Sequence, residues 1–243
     1  MPAVKGLEVF MMKIIKSDQR YFADHGWLTT RWHFSFSDYY DPQNMNWSAL
    51  RVFNDDVIQP GEGFPRHPHK EMEIITYVLD GAVEHGDNLG NKGIIGAGEV
   101  QVMSAGRGIV HSEFNASKTQ SVHLLQLWIL PRSKGGQPHW EQRRWDSDGN
   151  DTGRLHAVVS DGSIPGTLAI DQDAAIYVGK LAGGQSVSHQ SRSDRHAYLF
   201  VIDGEVKING TALSKGDQAR IADEQKLEIG ATTDAHVMLL DLP

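Results

Sequence analysis

Short runs of β-favouring residues recur along the chain, and each run is bounded by glycine, asparagine, aspartate or proline. Helical periodicity in the apolar residues is scarce by comparison. Segments such as Asp80-Gly81 and Gly96-Ala97-Gly98 suit tight turns, because glycine adopts positive φ at little steric cost. The sequence therefore predicts an all-β protein with few short helices. The predicted strands are Ala49–Phe53, Glu73–Leu79, Val83–His85, Glu99–Met103, Val122–Leu130, Leu155–Val159, Ala174–Lys180, Tyr198–Ile202, Glu205–Ile208, Gln218–Ile221 and Val237–Leu240.

The composition is that of a folded protein with a sizeable core, since 40% of the 243 residues are hydrophobic and 22% are charged. Acidic residues outnumber basic ones by 31 to 23 and the basic residues form no run, which argues against nucleic acid and anionic membranes as partners. The absence of cysteine excludes disulfides, thiolate catalysis and iron–sulfur clusters. Because Met1–Met12 lacks a continuous apolar leader, we expect a cytoplasmic protein, with a monomer as the default.

The chain has two halves, each a series of short β-favouring runs, and the polar, turn-rich stretch 131–153 is predicted to connect them. A glycine precedes His67 by six positions in the first half and His189 by six in the second. This shared order of glycines and strands indicates an ancient duplication. The chemistry is not duplicated, because Ser191 follows His189 where a second histidine would be needed and the second half has no counterpart of His111. We therefore expect one site, in the first half.

Two pairs of polar residues have the spacing of a metal site. His67 and His69 are two residues apart on an extended stretch, and His111 and Glu113 repeat that spacing. Side chains at i and i+2 of a strand point to the same face, so each pair can contact one ion. Three imidazoles and one carboxylate suit a first-row divalent transition metal, and we predict that these four residues bind one. The remaining histidines are interpreted as ordinary core or surface residues: His25, His33, His85, His123, His139, His156, His196 and His236.

Two acidic residues near this quartet have open roles. Glu113 is either a plain metal ligand or a carboxylate that leaves the ion and accepts a proton from the substrate. Glu73 lies on the same strand face as the histidine pair by parity. It is predicted either to accept a hydrogen bond from a ligand imidazole or to pair with a basic side chain.

The same residues resemble the two sequence motifs of the cupin superfamily. Gly61, His67, His69, Glu73 and Gly81 follow the first motif, and Gly98, Gly106, His111 and Asn115 follow the second with two extra residues. Within that superfamily, the segments Gly63–His69 and Met103–Glu113 resemble the pirin family, and the similarity extends over almost the whole chain. The resemblance implies a bicupin, with two tandem β-barrels of the jelly-roll type. Residues 1–135 would form the metal-binding barrel and residues 136–243 a degenerate one.

The resemblance also implies a function. Pirins hold one iron-type metal through three histidines and a glutamate that match His67, His69, His111 and Glu113, so Fe(II) is expected, with Mn, Ni, Cu, Co or Zn as alternatives. The implied activity is that of a quercetin 2,3-dioxygenase, which opens the central ring of a flavonol with dioxygen and releases carbon monoxide. The alternative is a redox-sensing metal protein that regulates a transcription factor or metabolic enzyme. A third interpretation is that the natural substrate is another enol or phenol.

An aromatic cluster near the start of the chain admits two interpretations. It could form a stacking wall for a flavonoid, but packing of the N-terminal strands onto the barrels is the favoured prediction. The cluster consists of Trp27, Trp32, Phe34, Phe36, Tyr39, Tyr40 and Trp47.

Overall fold

The computed structural model describes residues 12–145 and 152–243. Within these ranges the chain is built from β-strands and connecting turns, and a single 3-10 turn, Ser17–Gln19, is its one helical element. The all-β prediction is confirmed. No helix in the described ranges has the length and apolar character that a membrane crossing requires.

The strands follow one another at short intervals, as the turn residues predict. Those before the connection are β1 (Met12–Ile15), β2 (Tyr21–Asp24), β3 (Leu28–Trp32), β4 (Leu50–Ile58), β5 (Gly63–His69), β6 (Glu73–Asp80), β7 (Ala82–Asp87), β8 (Lys92–Gly96), β9 (Glu99–Ser104), β10 (Ile109–Asn115) and β11 (Val122–Ile129), followed by β12 (His139–Arg144). Those after it are β13 (His156–Ser160), β14 (Leu168–Ala169), β15 (Ala175–Leu181), β16 (Ser186–Gln190), β17 (His196–Asp203), β18 (Glu205–Ile208), β19 (Thr211–Ser214), β20 (Gln218–Ala222), β21 (Lys226–Ala231) and β22 (Ala235–Leu242).

Each half consists of a seven-stranded sheet facing a four-stranded sheet. In the first half the seven-stranded sheet has the order β12-β9-β6-β11-β4-β3-β2, and the smaller sheet has the order β5-β10-β7-β8. In the second half the orders are β1-β20-β17-β22-β15-β13-β14 and β16-β21-β18-β19. The two halves therefore repeat the same architecture, as the shared order of glycines and strands in the sequence indicates.

Strands near each end of the first half cross the expected division of the chain. β1 pairs with β20, so the start of the described chain completes the large sheet of the second half. The predicted connection over residues 131–153 contains a strand, β12, which pairs with β9 in the first half. The rest of that polar run, residues 146–151, lies outside the described residues. A boundary at residue 135 stays a prediction, and β12 lies beyond it while belonging to the first sheet.

The large sheets are buried on both faces, which explains their long apolar runs. Along β11, Leu125 and Leu127 point to the interface between the halves, where they share one core with Tyr198 and Phe200 of β17. The alternate position, Gln126, points instead into the first half, where it contacts the small sheet. Strand alternation thus sends apolar side chains to the interface and polar ones to the interior of the first half.

The predicted strand Ala49–Phe53 is too short, because β4 continues to Ile58. Asn54 and Asp56 lie beyond the predicted end, and both are buried within this strand. Their side chains line an internal cavity of the first half, which accounts for their polarity. Polar residues in a strand that faces a cavity are therefore indistinguishable in sequence from a turn.

His189, the counterpart of His67 in the second half, belongs to a buried ionic cluster. Its Nε2 lies 2.8 Å from Oδ2 of Asp241, which also accepts a hydrogen bond of 2.9 Å from the Ser191 hydroxyl. Arg195 Nε donates to the other oxygen of Asp241 at 2.5 Å. The Asp241 pKa is lowered, since these hydrogen bonds and the Arg195 charge outweigh the desolvation that would raise it. These contacts give His189 a structural role in the second half.

Candidate metal centre

Three of the four predicted ligands converge on one point between β5 and β10. His67 and His69 project from the same face of β5, and His111 lies directly opposite His67 in the antiparallel register. The Nε2 atoms of His67 and His111 are 3.0 Å apart. One ring nitrogen from each of the three histidines falls within a group whose members lie within 4.8 Å of one another. The i, i+2 argument predicts the shared face of His67 and His69, and the role of the three histidines as metal ligands stays a prediction.

The protonation of these imidazoles suits a cation. Nδ1 of His67 donates a hydrogen bond of 2.7 Å to the Pro65 carbonyl, which leaves Nε2 with a free lone pair. Burial and the neighbouring histidines lower the pKa of His69 to about 4 and that of His111 to about 3. At neutral pH both rings are therefore uncharged and able to ligate a metal. Such convergent neutral imidazoles fit a divalent transition metal.

Glu113, the fourth predicted ligand, lies beside the triad and is held by hydrogen bonds from the large sheet. Its side chain is buried, and Gln126 Nε2 donates to its Oε2 at 2.7 Å. Its Oε1 accepts from Gln101 Nε2 and, at 3.3 Å, from the Thr76 hydroxyl. A carboxylate oxygen of Glu113 and one ring nitrogen each of His111 and His85 lie within 4.8 Å of one another. Glu113 does not belong to the group formed by His67, His69 and His111. The structure thus brings three of the predicted ligands close together and joins Glu113 to them through His111.

His85, interpreted from the sequence as an ordinary residue, is part of this centre. It is buried on β7 and lies opposite Glu113 in the β7–β10 register. Its ring stacks on Trp140 with centroids 5.1 Å apart, and its Nε2 lies 3.4 Å from Oδ2 of Asp87. The position of His85 at the end of a predicted strand, two residues before Asp87, was the only sequence signal. The pairing of β7 with β10 that makes this spacing relevant is a tertiary property.

Glu73 has a different environment from either predicted one. It is buried, and the Ser104 hydroxyl donates a hydrogen bond to its Oε2. Burial raises the pKa of Glu73. The Ser104 hydroxyl is a partner that neither prediction named.

A cavity of about 430 Å³ opens directly onto the triad and is walled mainly by apolar side chains. Trp128 forms one wall, with its ring edge-on to His69 at 4.9 Å and to Phe36 at 5.3 Å. The cavity is lined by His25, Trp27, Leu28, Trp32, Phe36, Ser37, Asn54, Asp56, Phe64, Pro65, His67, His69, Glu113, Gln126 and Trp128. Its size and apolar walls are those of a small-molecule site.

The packing interpretation of the N-terminal aromatic cluster is incomplete, because three of its members also face a cavity, although Trp27 packs against the core and Trp32 is buried. Trp27, Trp32 and Phe36 line the cavity next to the triad. Phe34 packs in the core between the halves, as predicted. Tyr40 is 73% exposed and belongs to neither group. Aromatic composition alone did not separate these environments because β3 and the loop after it send neighbouring side chains to different faces.

Asp56 adds a titratable group to the cavity that sequence reasoning missed. Its side chain is buried, and its Oδ1 has no hydrogen-bond partner among the described residues. Burial raises the pKa of Asp56 to about 7, and the nearby charges of Asp55 and Glu113 add to the effect. Near neutral pH this carboxyl group is therefore partly protonated beside the metal centre.

The fold and the centre together define the class. Two all-β halves of matching architecture, with a histidine triad and an adjacent glutamate between strands of the first, are the mark of a two-domain cupin metalloprotein. Comparison with known proteins gives the family. The Pirin family profile matches residues 15–129, and the profile described as quercetinase C-terminal cupin domain matches residues 157–242. The chain belongs to the pirin family, and the predicted bicupin is confirmed.

Individual relatives extend over almost the whole chain. A quercetin 2,3-dioxygenase of Escherichia coli strain K12 is 47% identical over 234 residues, which cover 96% of this chain and 99% of that protein. A pirin-like protein of Caulobacter vibrioides is 47% identical and covers 90% of this chain and 94% of its own. The crystal structure of bacterial pirin YhhW from E. coli with nickel(II) has a TM-score of 0.91 at 46% identity, covering 96% and 99% of the two chains. That complex and the donor set here support a divalent metal.

Proposed function

We propose that this chain is a metal-dependent dioxygenase that opens the central ring of flavonols such as quercetin and releases carbon monoxide. The observation that carries the proposal is the convergence of His67, His69 and His111 at one end of an aromatic-walled cavity of about 430 Å³. Relatives named quercetin 2,3-dioxygenase, 47% identical over nearly the full chain, support the same activity. Flavonol and dioxygen are the proposed substrates, and the cytoplasm remains the proposed location.

His67, His69, His111 and Glu113 are the proposed metal ligands. Fe(II) is the favoured ion, and Mn, Ni, Cu, Co or Zn are alternatives, because imidazole and carboxylate accept several of these metals and availability often decides between them. The nickel(II) complex of the E. coli pirin supports this tolerance. Four protein donors leave open positions on a six-coordinate ion, so the substrate has room to bind.

When bound, a divalent ion at this centre supplies Lewis acidity that lowers the pKa of a flavonol hydroxyl. Glu113 is the proposed acceptor of that hydroxyl proton. Gln126, Gln101 and Thr76 donate hydrogen bonds to its carboxylate and so hold it in place. Removal of the proton leaves an electron-rich substrate anion that can react with dioxygen.

The cavity walls would orient a flat substrate. Trp27, Trp32, Phe36 and Trp128 all present ring atoms to the space beside the triad. Aromatic pairs favour stacked and edge-to-face contacts, which suit the planar rings of a flavonol. Apolar walls also exclude water from the reacting anion. The oxidised products would be one ring-opened molecule and one carbon monoxide for each flavonol and dioxygen consumed.

The deciding experiment reconstitutes the purified protein separately with iron, manganese, nickel and copper, and incubates each form with quercetin under air. Loss of flavonol absorbance and release of carbon monoxide would be followed together. Glu113→Gln should lower kcat by about 10²–10⁴-fold, the usual worth of a general base. Glu84→Gln is the matched control, because Glu84 is exposed on β7 and lies outside the cavity.

Absence of turnover with every metal, in protein that folds and binds metal normally, would overturn the enzymatic proposal. It would favour the regulatory alternative of the pirin family. Turnover of other enols or phenols but not of quercetin would retain a dioxygenase and replace the substrate. Metal content must be measured in each Glu113→Gln preparation, since a lost ligand and a lost base both reduce activity.

A further inference from the structure

Two arginines are buried where the first strands of the chain pack against the second half. Arg20, just before β2, is 7% exposed and Arg220, on β20, is 5% exposed. Among the described residues no carboxylate lies within ion-pair distance of either guanidinium group. Buried charges are ordinarily paired, because an isolated ion loses its hydration without compensation.

The groups that do contact these arginines are neutral. Arg20 Nη1 donates to Nε2 of His33, and Arg220 Nη2 donates to the His33 carbonyl at 3.0 Å. Burial and the two arginine charges lower the His33 pKa well below its usual value, so this ring carries no charge. Its Nδ1 consequently bears the proton and donates to the Tyr198 oxygen at 2.5 Å. Among the described residues no carboxylate pairs directly with either arginine, and Asp55 and Asp217 act on Arg20 only at longer range.

Aromatic rings compensate for part of this charge. The Arg220 guanidinium lies 4.4 Å from the Phe34 ring centroid, and that of Arg20 lies 5.3 Å from the Phe200 centroid. A ring face stabilises a cation but does not complete the hydrogen bonding of a guanidinium group. The Nε–H groups of both arginines have no partner among the described residues.

A third polar side chain lies in the same place. Gln218 is fully buried, and its amide meets the His33 ring. Buried polar groups are nearly always hydrogen-bonded, so the two arginine Nε–H groups without partners among the described residues, next to this buried amide, point to a missing ligand. Arg20, Arg220 and Gln218 together line a cavity of about 260 Å³.

The charge of that cavity selects an anion. Lys13 adds a third basic side chain to its lining, and Asp41 is the acidic residue among the described lining residues. The space corresponds to several water molecules, at about 30 Å³ each, and so accommodates a compact ligand. Trp32 lines both this cavity and the one beside the metal centre, so the two spaces are adjacent but distinct.

We propose that Arg20, Arg220 and Gln218 form a binding site for a small oxyanion of the carboxylate or phosphate class, separate from the metal centre. A guanidinium group offers parallel N–H donors that match two oxygens of a carboxylate or phosphate. The Gln218 amide nitrogen can donate to a further oxygen. The bound anion would neutralise the buried charge of Arg20 and Arg220, which lies where the two halves pack together.

The test titrates inorganic phosphate and, separately, succinate into metal-loaded protein at constant ionic strength, with binding followed by calorimetry. Saturable binding of at least one anion is expected, and the one that binds identifies the source of the oxyanion. Arg220→Gln should weaken binding by about tenfold or more, which corresponds to about 1.4 kcal/mol. Lys13→Gln, an exposed change at the cavity, should weaken it by a few-fold. Arg192→Gln, an exposed arginine outside the cavity, should bind as the parent does.

Binding must persist in His111→Ala, because an anion held only by the bound metal would be lost with it. Loss of binding in that variant would overturn the proposal, as would unchanged affinity in a folded Arg220→Gln protein. Failure of both anions to bind the parent protein would also overturn it. Circular dichroism establishes that each variant is folded. If Arg220→Gln does not fold, the affinity of Lys13→Gln for the anion provides the test.

Discussion

His67 and His111 face each other across the β5–β10 pair with their Nε2 atoms 3.0 Å apart. Because the Pro65 carbonyl holds the proton of His67 on Nδ1, the Nε2 lone pair points at the opposite ring. Two imidazole nitrogens aimed at the same point, with His69 beside them, are arranged for a cation rather than for each other.

Replacing His111 or His69 by alanine should abolish metal occupancy and leave the β-rich circular dichroism spectrum largely intact. Each change removes one nitrogen from the triad, while the surrounding strands keep their pairing. Metal content would be measured by elemental analysis after reconstitution. His189→Ala is the matched control in the second half, and it should retain the metal. Collapse of the whole fold in the His111 or His69 variant would instead mean that the metal is structural.

Gly63→Ala should destabilise the protein by about 2–3 kcal/mol and weaken metal binding. A β-carbon at Gly63 would lie 2.3 Å from the Glu113 carbonyl oxygen and 2.5 Å from Cα of Phe114, so β5 must move away from β10. Urea denaturation and metal titration would measure the two effects. Gly86→Ala is the control, since its β-carbon meets only the Ser112 hydroxyl at 3.8 Å. Equal stability of the two variants would contradict the close approach of β5 and β10.

Asp56→Asn should flatten part of the pH dependence of stability. Burial raises the pKa of Asp56 from 3.8 to about 7. Between these two pH values the folded protein keeps the Asp56 proton, whereas the unfolded chain has lost it. Stability contributed by this group is complete below about pH 4 and falls as pH rises to 7. Between pH 4 and pH 8, the free energy of unfolding of Asp56→Asn should rise by on the order of 2–4 kcal/mol relative to that of the parent.

Urea denaturation of both proteins across that pH range measures the difference, which cancels the titration of groups common to both. Asp38→Asn, at an exposed aspartate, is the control. A stability difference between parent and Asp56→Asn that does not change with pH would refute the raised pKa.

Trp128→Ala should raise KM for quercetin by about tenfold while leaving metal content unchanged. Trp128 contributes a wall of the cavity beside His69, and loss of a buried aromatic contact of this kind weakens binding by about 1–2 kcal/mol. Steady-state kinetics together with metal analysis separate the two effects. Tyr40→Ala, which removes an exposed aromatic ring outside the cavity, should leave KM as it is. An unchanged KM in Trp128→Ala would exclude this cavity as the flavonol site.

The chain's local pattern was sufficient for the strand-rich architecture and for the shared face of His67 and His69. His67 and His69 share a face because strand side chains alternate, and this geometry holds whatever the strand pairs with. Runs such as Val122–Leu130 were recognisable for a related reason, since strands buried on both faces are apolar at nearly every position. The end of a strand was harder to predict where polar residues face a cavity, as Asn54 and Asp56 do in β4.

By itself the sequence determined which residues have the chemistry of a metal site, that the fold is all-β, and that the chain resembles the pirins. Only the tertiary structure decided that His85 lies opposite Glu113, that β1 crosses to the second half, and that Trp27, Trp32 and Phe36 face the cavity. The physical reason is that strand periodicity sets the face on which a side chain lies. The partner of that face depends on register and packing between segments far apart in the chain.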